Sequence, residues 1–233
     1  MNTMNYVEFQ KLITESKEDV CREVYLENQD KIKIKKEKTA VKNFEKIFDA
    51  VFKISYSKGF QAMSMRDLSN ESGLSMGALY GYFTSKEELL QIIQRQGRSM
   101  VRRVLVDFTD AIDEPENRLC AAISAHIFLS EMARPWFFFT FMEARNLSKD
   151  ELEAAQVMES YTEDVLVAIL EAGEKQGVFK HQNHRLTASL IKAMQQDWYL
   201  KRWKYSRRNT SVDDYVAHVL LFVKSFCFND SMN

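Results

Sequence analysis

The sequence predicts an all-α fold, a small helical module near the N-terminus followed by a larger helical body, and three observations carry that prediction. Only two prolines, Pro115 and Pro135, and seven glycines interrupt 233 residues rich in Leu, Glu, Lys, Ala, Met and Phe, a composition short of turn formers and favourable to long helices. Apolar side chains recur at helical spacing, as in Phe44, Ile47, Ala50, Val51 and Ile54, and no stretch sustains the alternation of a strand. Four of the seven glycines, Gly59, Gly73, Gly77 and Gly81, fall within 23 residues, which marks tight turns and close backbone approach in one short region.

Taken in order, residues 1–38 form a charged leader in which Phe9, Leu12, Ile13, Val20 and Val24 would share one face of an amphipathic helix, ahead of the lysine run Lys31 to Lys38. Thr39 is the expected N-cap of a helix that ends near Lys58, closed by Gly59, with Phe60 folding back onto it. Ser64 caps a short helix to about Ser72, with Asp67 as its capping-box partner. Gly73 and Leu74 make a turn, Ser75 caps a second short helix to about Gly81, and Ser85 with Glu88 opens a third that runs about seven turns towards Pro115. Further helices are expected at about 115–132, 135–146, 149–176 (opened by Ser148 and Glu151), 184–206 and 212–227.

Charge is unevenly spread although the net formal charge is only -1. Met1 to Asp30 carries seven acids against three bases, a balance of -4, whereas Lys31 to Lys86 carries eleven bases against five acids, a balance of +6. A basic region on a near-neutral chain suits a protein that meets phosphate with one face; an ordinary solvated surface would also account for it. Cys21, Cys120 and Cys227 are odd in number and lack a C-x-x-C pair, which argues against a disulfide framework or zinc site and for reduced thiols in a cytoplasmic protein. No apolar run reaches the ~20 residues of a membrane span, and the polar N-terminus does not read as a signal peptide.

Short helix, glycine turn, short helix is the helix-turn-helix pattern. Leu68, Leu74, Leu79 and Phe83 are spaced to close a small core on Ile47, Val51 and Ile54. Ser75, Met76, Gly77 and Ala78 leave small side chains and free backbone N–H groups at a helix start, suited to an anionic backbone and a groove. Tyr80 and Tyr82, two apart, cannot both bury on one helix face, so at least one phenol is available to a phosphate. Lys86 puts a cation where the helix dipole favours an anion. Each of these features alone also fits plain packing of a small helical unit.

The combined run Ser72-Gly-Leu-Ser-Met-Gly-Ala-Leu-Tyr-Gly-Tyr-Phe83 with Lys86, and Ile47, Ala50, Gly59 and Phe60 upstream, resembles the N-terminal domain of the tetracycline-repressor (TetR) family over about residues 40 to 95. Ser69 and Ser72 stand where alanines are usual in that family, and Ser55 where an aromatic is usual. The resemblance implies a DNA-binding domain at 39–88 and a ligand-binding and dimerisation domain at 89–233. It implies DNA contacts from Ser64, Arg66, Ser75, Met76, Gly77, Ala78, Tyr80, Tyr82 and Lys86, with Met76 placed to read a base, and no catalytic residue, cofactor or metal. The partners implied are a palindromic operator duplex, a second copy held through the last two long helices, and a small hydrophobic effector such as an acyl-CoA or fatty acid.

Candidate effector residues are Trp136, Phe139, Phe141, Met142, Trp198 and Arg202, in two aromatic-rich segments. For Trp136 to Met142 core packing and pocket lining both fit, and for Trp198, Tyr199 and Trp203 dimer interface and pocket wall both fit. A helical enzyme and a helical adaptor without DNA binding are the readings of another class. The first finds no H-E-x-x-H, nucleophile elbow or phosphate loop, and His181 and His184 lie in a polar connector. An adaptor has no need of Gly73, Gly77, Tyr80 and Tyr82 at these spacings.

Overall fold

The computed structural model describes residues 4–13 and 16–229. Helix α1 spans Tyr6–Leu12, α2 Lys17–Asn28, α3 Glu37–Lys58, α4 Met65–Ser72, α5 Met76–Leu79 and α6 Lys86–Thr109. They are followed by α7 Pro115–Met132, α8 Arg134–Glu143, α9 Lys149–Lys175, α10 His184–Leu200, α11 Arg202–Arg207 and α12 Val212–Cys227. Among the described residues there is no strand, only an isolated bridge between Phe179 and Phe228, and no helix is long and apolar enough to cross a membrane.

The chain divides into two compact units, one of residues 1–12, 99–134 and 156–233, the other of 13–98 and 135–155. This division differs from the linear one expected from sequence. The leader is not a single helix: Phe9 and Leu12 lie on α1, Val20 and Val24 on α2, because Ser16 and Asp19 form a capping box that starts a new helix, and the two helices belong to different units. Residues 14 and 15, within the leader, lie outside the described residues.

The unit of residues 13–98 and 135–155 is organised by α3, whose Ala40, Phe44, Ile47, Phe48, Val51 and Ile54 repeat every three or four residues and are buried. Its start lies two residues before the expected cap. Lys36 is the N-cap, without a side-chain bond, and the start is held instead by the Tyr25 hydroxyl donating to Lys35 O at 3.2 Å and by Arg22 Nε on Glu37 at 3.1 Å. Leu68, Leu79, Phe83 and the partly buried Leu74 close the core with Ile47, Val51 and Ile54. Phe48 and Phe52 meet Trp136 edge-on at 5.2 and 5.1 Å, and Phe60 meets Phe139 at 5.4 Å, so α8 is a component of this core. The buried Glu143 carboxylate receives Phe60 N–H at 3.3 Å, and Glu151 binds Arg95 and Arg98 at 3.0 and 2.8 Å.

In the other unit α7 is buried almost all round, from Leu119 through Ser130, as its lack of a polar face predicts. Around it lie α1, α10 and α12, and Phe9 packs its ring against Phe108 and Phe128 at 5.1 and 5.6 Å. The helix expected over 184–206 breaks at Lys201 (φ -118°, ψ 32°). Asp197 holds the fold-back: its carboxylate binds Lys201 at 2.5 Å, Lys204 at 2.6 Å and the Tyr205 hydroxyl, and Tyr205 packs in a mutual cluster with the Trp198 and Tyr215 rings. Cys21, Cys120 and Cys227 are buried free thiols whose pKa values burial raises, that of Cys21 to about 12.

Candidate nucleic-acid interface

The helix-turn-helix is built by caps. The Ser64 hydroxyl accepts from Asp67 N–H at 3.1 Å while the Asp67 carboxylate accepts from Ser64 N–H at 2.8 Å, and Lys58 pairs with the same carboxylate at 2.8 Å. The Lys58 and Ser64 bonds hold the Asp67 carboxyl well below the usual carboxylate range. Gly73 closes α4 at φ 69°, ψ 16°, a left-handed conformation that a β-carbon would strain. Ser75 then caps α5 by accepting from Ala78 N–H at 3.1 Å.

Regular α5 is only four residues long and stops short of the expected Gly81. Beyond it the bonds tighten to i−3, Gly81 N–H to Ala78 O at 3.0 Å and Tyr82 N–H to Leu79 O at 2.9 Å, a 3₁₀-like exit that turns Tyr82 inward. The serines that depart from the family pattern are accommodated by backbone carbonyls: Ser69 Oγ donates to Leu74 O and Ser72 Oγ to Leu68 O, both at 2.6 Å. Ser55 Oγ is buried with no hydrogen-bond partner among the described residues.

Of the nine residues expected to meet DNA, Ser64, Arg66, Ser75, Met76, Gly77 and Tyr80 are exposed around the turn and α5, and Ala78 is half-buried. A β-carbon added at Gly77 would meet nothing within 4 Å, so the surface there is open to a close-approaching backbone or base edge. Tyr80 is 43 % exposed and Tyr82 only 2 %, which divides the two phenols as their spacing requires. The Tyr82 hydroxyl accepts from Asn43 Nδ2 at 2.8 Å and keeps its own proton to donate, while burial raises its pKa despite the Asn43 bond. Lys86 is engaged internally: its Nζ donates to Gln61 O at 3.0 Å and Met63 O at 2.6 Å and lies 5.2 Å from the Phe60 ring, which fixes the loop that delivers Ser64. Asn43 and the two carbonyls were not foreseen, because their role depends on where the tertiary fold brings Tyr82 and Lys86.

The candidate effector residues are divided between the two units. Trp136 and Phe139 are packed into the core of the unit that holds the helix-turn-helix, and Phe141 and Met142, on the same helix, are 46 and 42 % exposed. Trp198 and Arg202 lie in the other unit on one carboxylate: Trp198 Nε1 and Arg202 Nε donate to Glu131 at 3.0 and 3.1 Å, with the guanidinium 4.6 Å from the indole. For Trp136 and Phe139 the core-packing alternative describes the protomer, because α3 offers them an aromatic surface that residue spacing does not reveal. That second unit also holds a narrow gap lined by Leu105, Ala122, His126, Thr162, Leu166 and Gln195. His181 and His184 both bond the Glu174 carboxylate, the former at 2.8 Å.

A capped helix-turn-helix with small, exposed side chains on its second helix, borne by an all-helical chain, defines a DNA-binding regulator by its fold. Residues 47–93 match the family described as bacterial regulatory proteins, tetR family, and residues 113–207 match the tetracyclin repressor-like C-terminal domain, and the chain belongs to the TetR family of transcriptional regulators. It is 22 % identical over 181 residues to the HTH-type transcriptional regulator HbdR of Aromatoleum sp. (strain CIB), covering 77 % of this chain and 79 % of that one. Its fold is similar to that of the ketosteroid transcriptional regulator KstR2 of Mycobacterium tuberculosis (TM-score 0.71, 19 % identity, 81 % of this chain and 95 % of that one). It is also similar to the transcriptional regulator FadR of Bacillus subtilis in complex with stearoyl-CoA (TM-score 0.61, 18 % identity, 77 and 97 %).

Proposed function

We propose that the chain is a cytoplasmic repressor that binds a palindromic operator as a homodimer and is released by a small hydrophobic effector, of the acyl-CoA or fatty acid class. The observation that carries the dimer is α12, which keeps large apolar side chains exposed beside the face it buries. Val212, Val216, Val219 and Val223 are buried within the protomer, whereas Leu221, Phe222 and Phe226 are 65, 66 and 57 % exposed. Leu186 and Leu190 on α10 are each 57 % exposed at i, i+4 spacing. Large apolar side chains left in water on helices that already bury another face mark an association surface, and a second copy supplies the cover.

In this reading Ser75, Met76, Gly77 and Ala78 enter the major groove, Ser64, Arg66 and Tyr80 serve the phosphates on either side, and Tyr82 and Lys86, with a hydroxyl proton and a third N–H still to donate, support the phosphates from behind that surface. Two recognition helices about 34 to 36 Å apart would meet successive major grooves, and an effector would lower affinity by favouring a body conformation that alters that spacing. The effector class rests on the stearoyl-CoA-bound relative. Salt-titrated fluorescence anisotropy with duplexes from the chain's own upstream region tests the DNA reading; the absence of a specific, salt-sensitive complex overturns it. A thermal-shift screen with acyl-CoA thioesters and free fatty acids tests the effector, and an active ligand must also weaken the DNA complex.

A further inference from the structure

The lysine run between α2 and α3 is a built feature of the DNA-reading unit. Residues 31–35 read Lys-Ile-Lys-Ile-Lys, an alternation that sends successive side chains to opposite sides of an extended segment. Ile32 is 1 % exposed and Ile34 partly buried in the core, while Lys31, Lys33 and Lys35 are exposed, as is Lys36. The segment is fixed at three points. Lys33 N–H donates to Gly81 O at 2.9 Å, the Tyr25 hydroxyl donates to Lys35 O, and Ile34 Cδ1 sits 2.4 Å from where a Gly81 β-carbon would be. Gly81 lies between Tyr80 and Tyr82, so the lysines are anchored one peptide from the recognition helix, and Gly81 is small because Ile34 occupies its side-chain space.

Local groups cancel little of this charge: Lys31 lies near enough to Glu88 to lower its pKa, and Lys35 Nζ donates to Gln29 O at 3.1 Å while remaining unpaired with a carboxylate among the described residues. Glu37 is taken by Arg22, and Lys33, Lys36 and Lys38 ion-pair with no carboxylate among the described residues. Anchoring this backbone on Gly81 O places the exposed lysines along the same flank of any duplex that α5 reads.

We propose that Lys31, Lys33, Lys35 and Lys36 form a second phosphate-binding strip, outside the helix-turn-helix, that follows the DNA backbone next to the phosphate met by Tyr80. This rests on the reading that α5 binds duplex DNA. Lys33→Gln/Lys36→Gln removes two exposed, unpaired cations, and circular dichroism checks that folding is intact. Binding of the full chain to its operator duplex and to a scrambled duplex is then measured by anisotropy from 50 to 200 mM KCl. Each lost phosphate contact lowers the slope of log K against log salt by about 0.9, so the wild type should lose about 12-fold more affinity across that range than the double variant. The loss should be equal on both duplexes, and Lys33→Arg/Lys36→Arg should keep the wild-type slope. An unchanged slope in the Gln variant overturns the strip while leaving the DNA reading intact, as does a loss confined to the operator; a wild type with no salt-sensitive complex overturns the DNA reading itself.

Discussion

Phe222→Ala should separate association from folding. On the protomer Phe222 is 66 % exposed, and a buried phenylalanine covers about 150–250 Å², so about 130 Å² of ring is available to a partner. At about 25 cal/mol per Å² its burial would contribute about 3 kcal/mol, and a two-fold interface loses it twice. Interfaces return only part of the area term as affinity, which leaves about 2–3 kcal/mol, or about 30- to 150-fold in the dimer dissociation constant. Sedimentation equilibrium over a concentration series reads that shift directly, and the far-UV spectrum should not change. Val223 next to it is 3 % exposed, so Val223→Ala should lower the melting temperature instead, with the dimer constant of the folded protein little affected. If Phe222→Ala leaves the dimer constant at the wild-type value, α12 does not present that face to a second copy, and the interface lies elsewhere.

Two further substitutions probe the fold. Gly173 lies inside α9, where alanine normally stabilises by about 1 kcal/mol, yet an added β-carbon would lie 2.1 Å from Phe179 Cδ2. That ring is 1 % exposed and held by Phe228 at 4.9 Å, so overpacking should win and Gly173→Ala should lower the melting temperature by several degrees; an unchanged or raised value would refute the account. His126 is buried, and burial, with the Lys192 charge, holds its pKa well below the usual 6.5. The unfolded chain therefore takes up a proton below about pH 6.5 that the folded chain refuses, and stability should fall by up to about 1.4 kcal/mol per pH unit as pH drops from there. Urea titrations at pH 7.5 and 5.5 should show that His126→Gln loses part of this dependence; an identical dependence in both proteins would show that His126 is protonated when folded.

Much of the architecture was legible because it is written in local signals. Ser64 with Asp67, Gly73 and Ser75 set helix ends through bonds spanning three residues or fewer, and Pro115 begins α7 where the sequence placed it. What sequence missed depends on partners distant along the chain. Nothing near Trp136 announces that Phe48 and Phe52 will receive it, and nothing near Trp198 announces that its Nε1 and Arg202 will meet on Glu131, 67 and 71 residues upstream. The same contrast holds within the candidate interface. The exposure of Met76, Gly77 and Tyr80 follows from helix position, whereas the engagement of Lys86 by Gln61 and Met63 carbonyls depends on a loop folding back from α3.

The inclusion of residues 135–155 in the unit that carries the helix-turn-helix bears on how such a protein can be recombined. A reader module that ended at Arg98 could be exchanged between sensors by a single crossover. Here Phe48, Phe52 and Phe60 depend on Trp136 and Phe139, which the chain supplies only after α7. A graft cut after Arg98 would leave that aromatic surface uncovered and prone to aggregate, so a working chimera must carry α8 with the reader, and any duplication or swap in this lineage faces a two-breakpoint requirement.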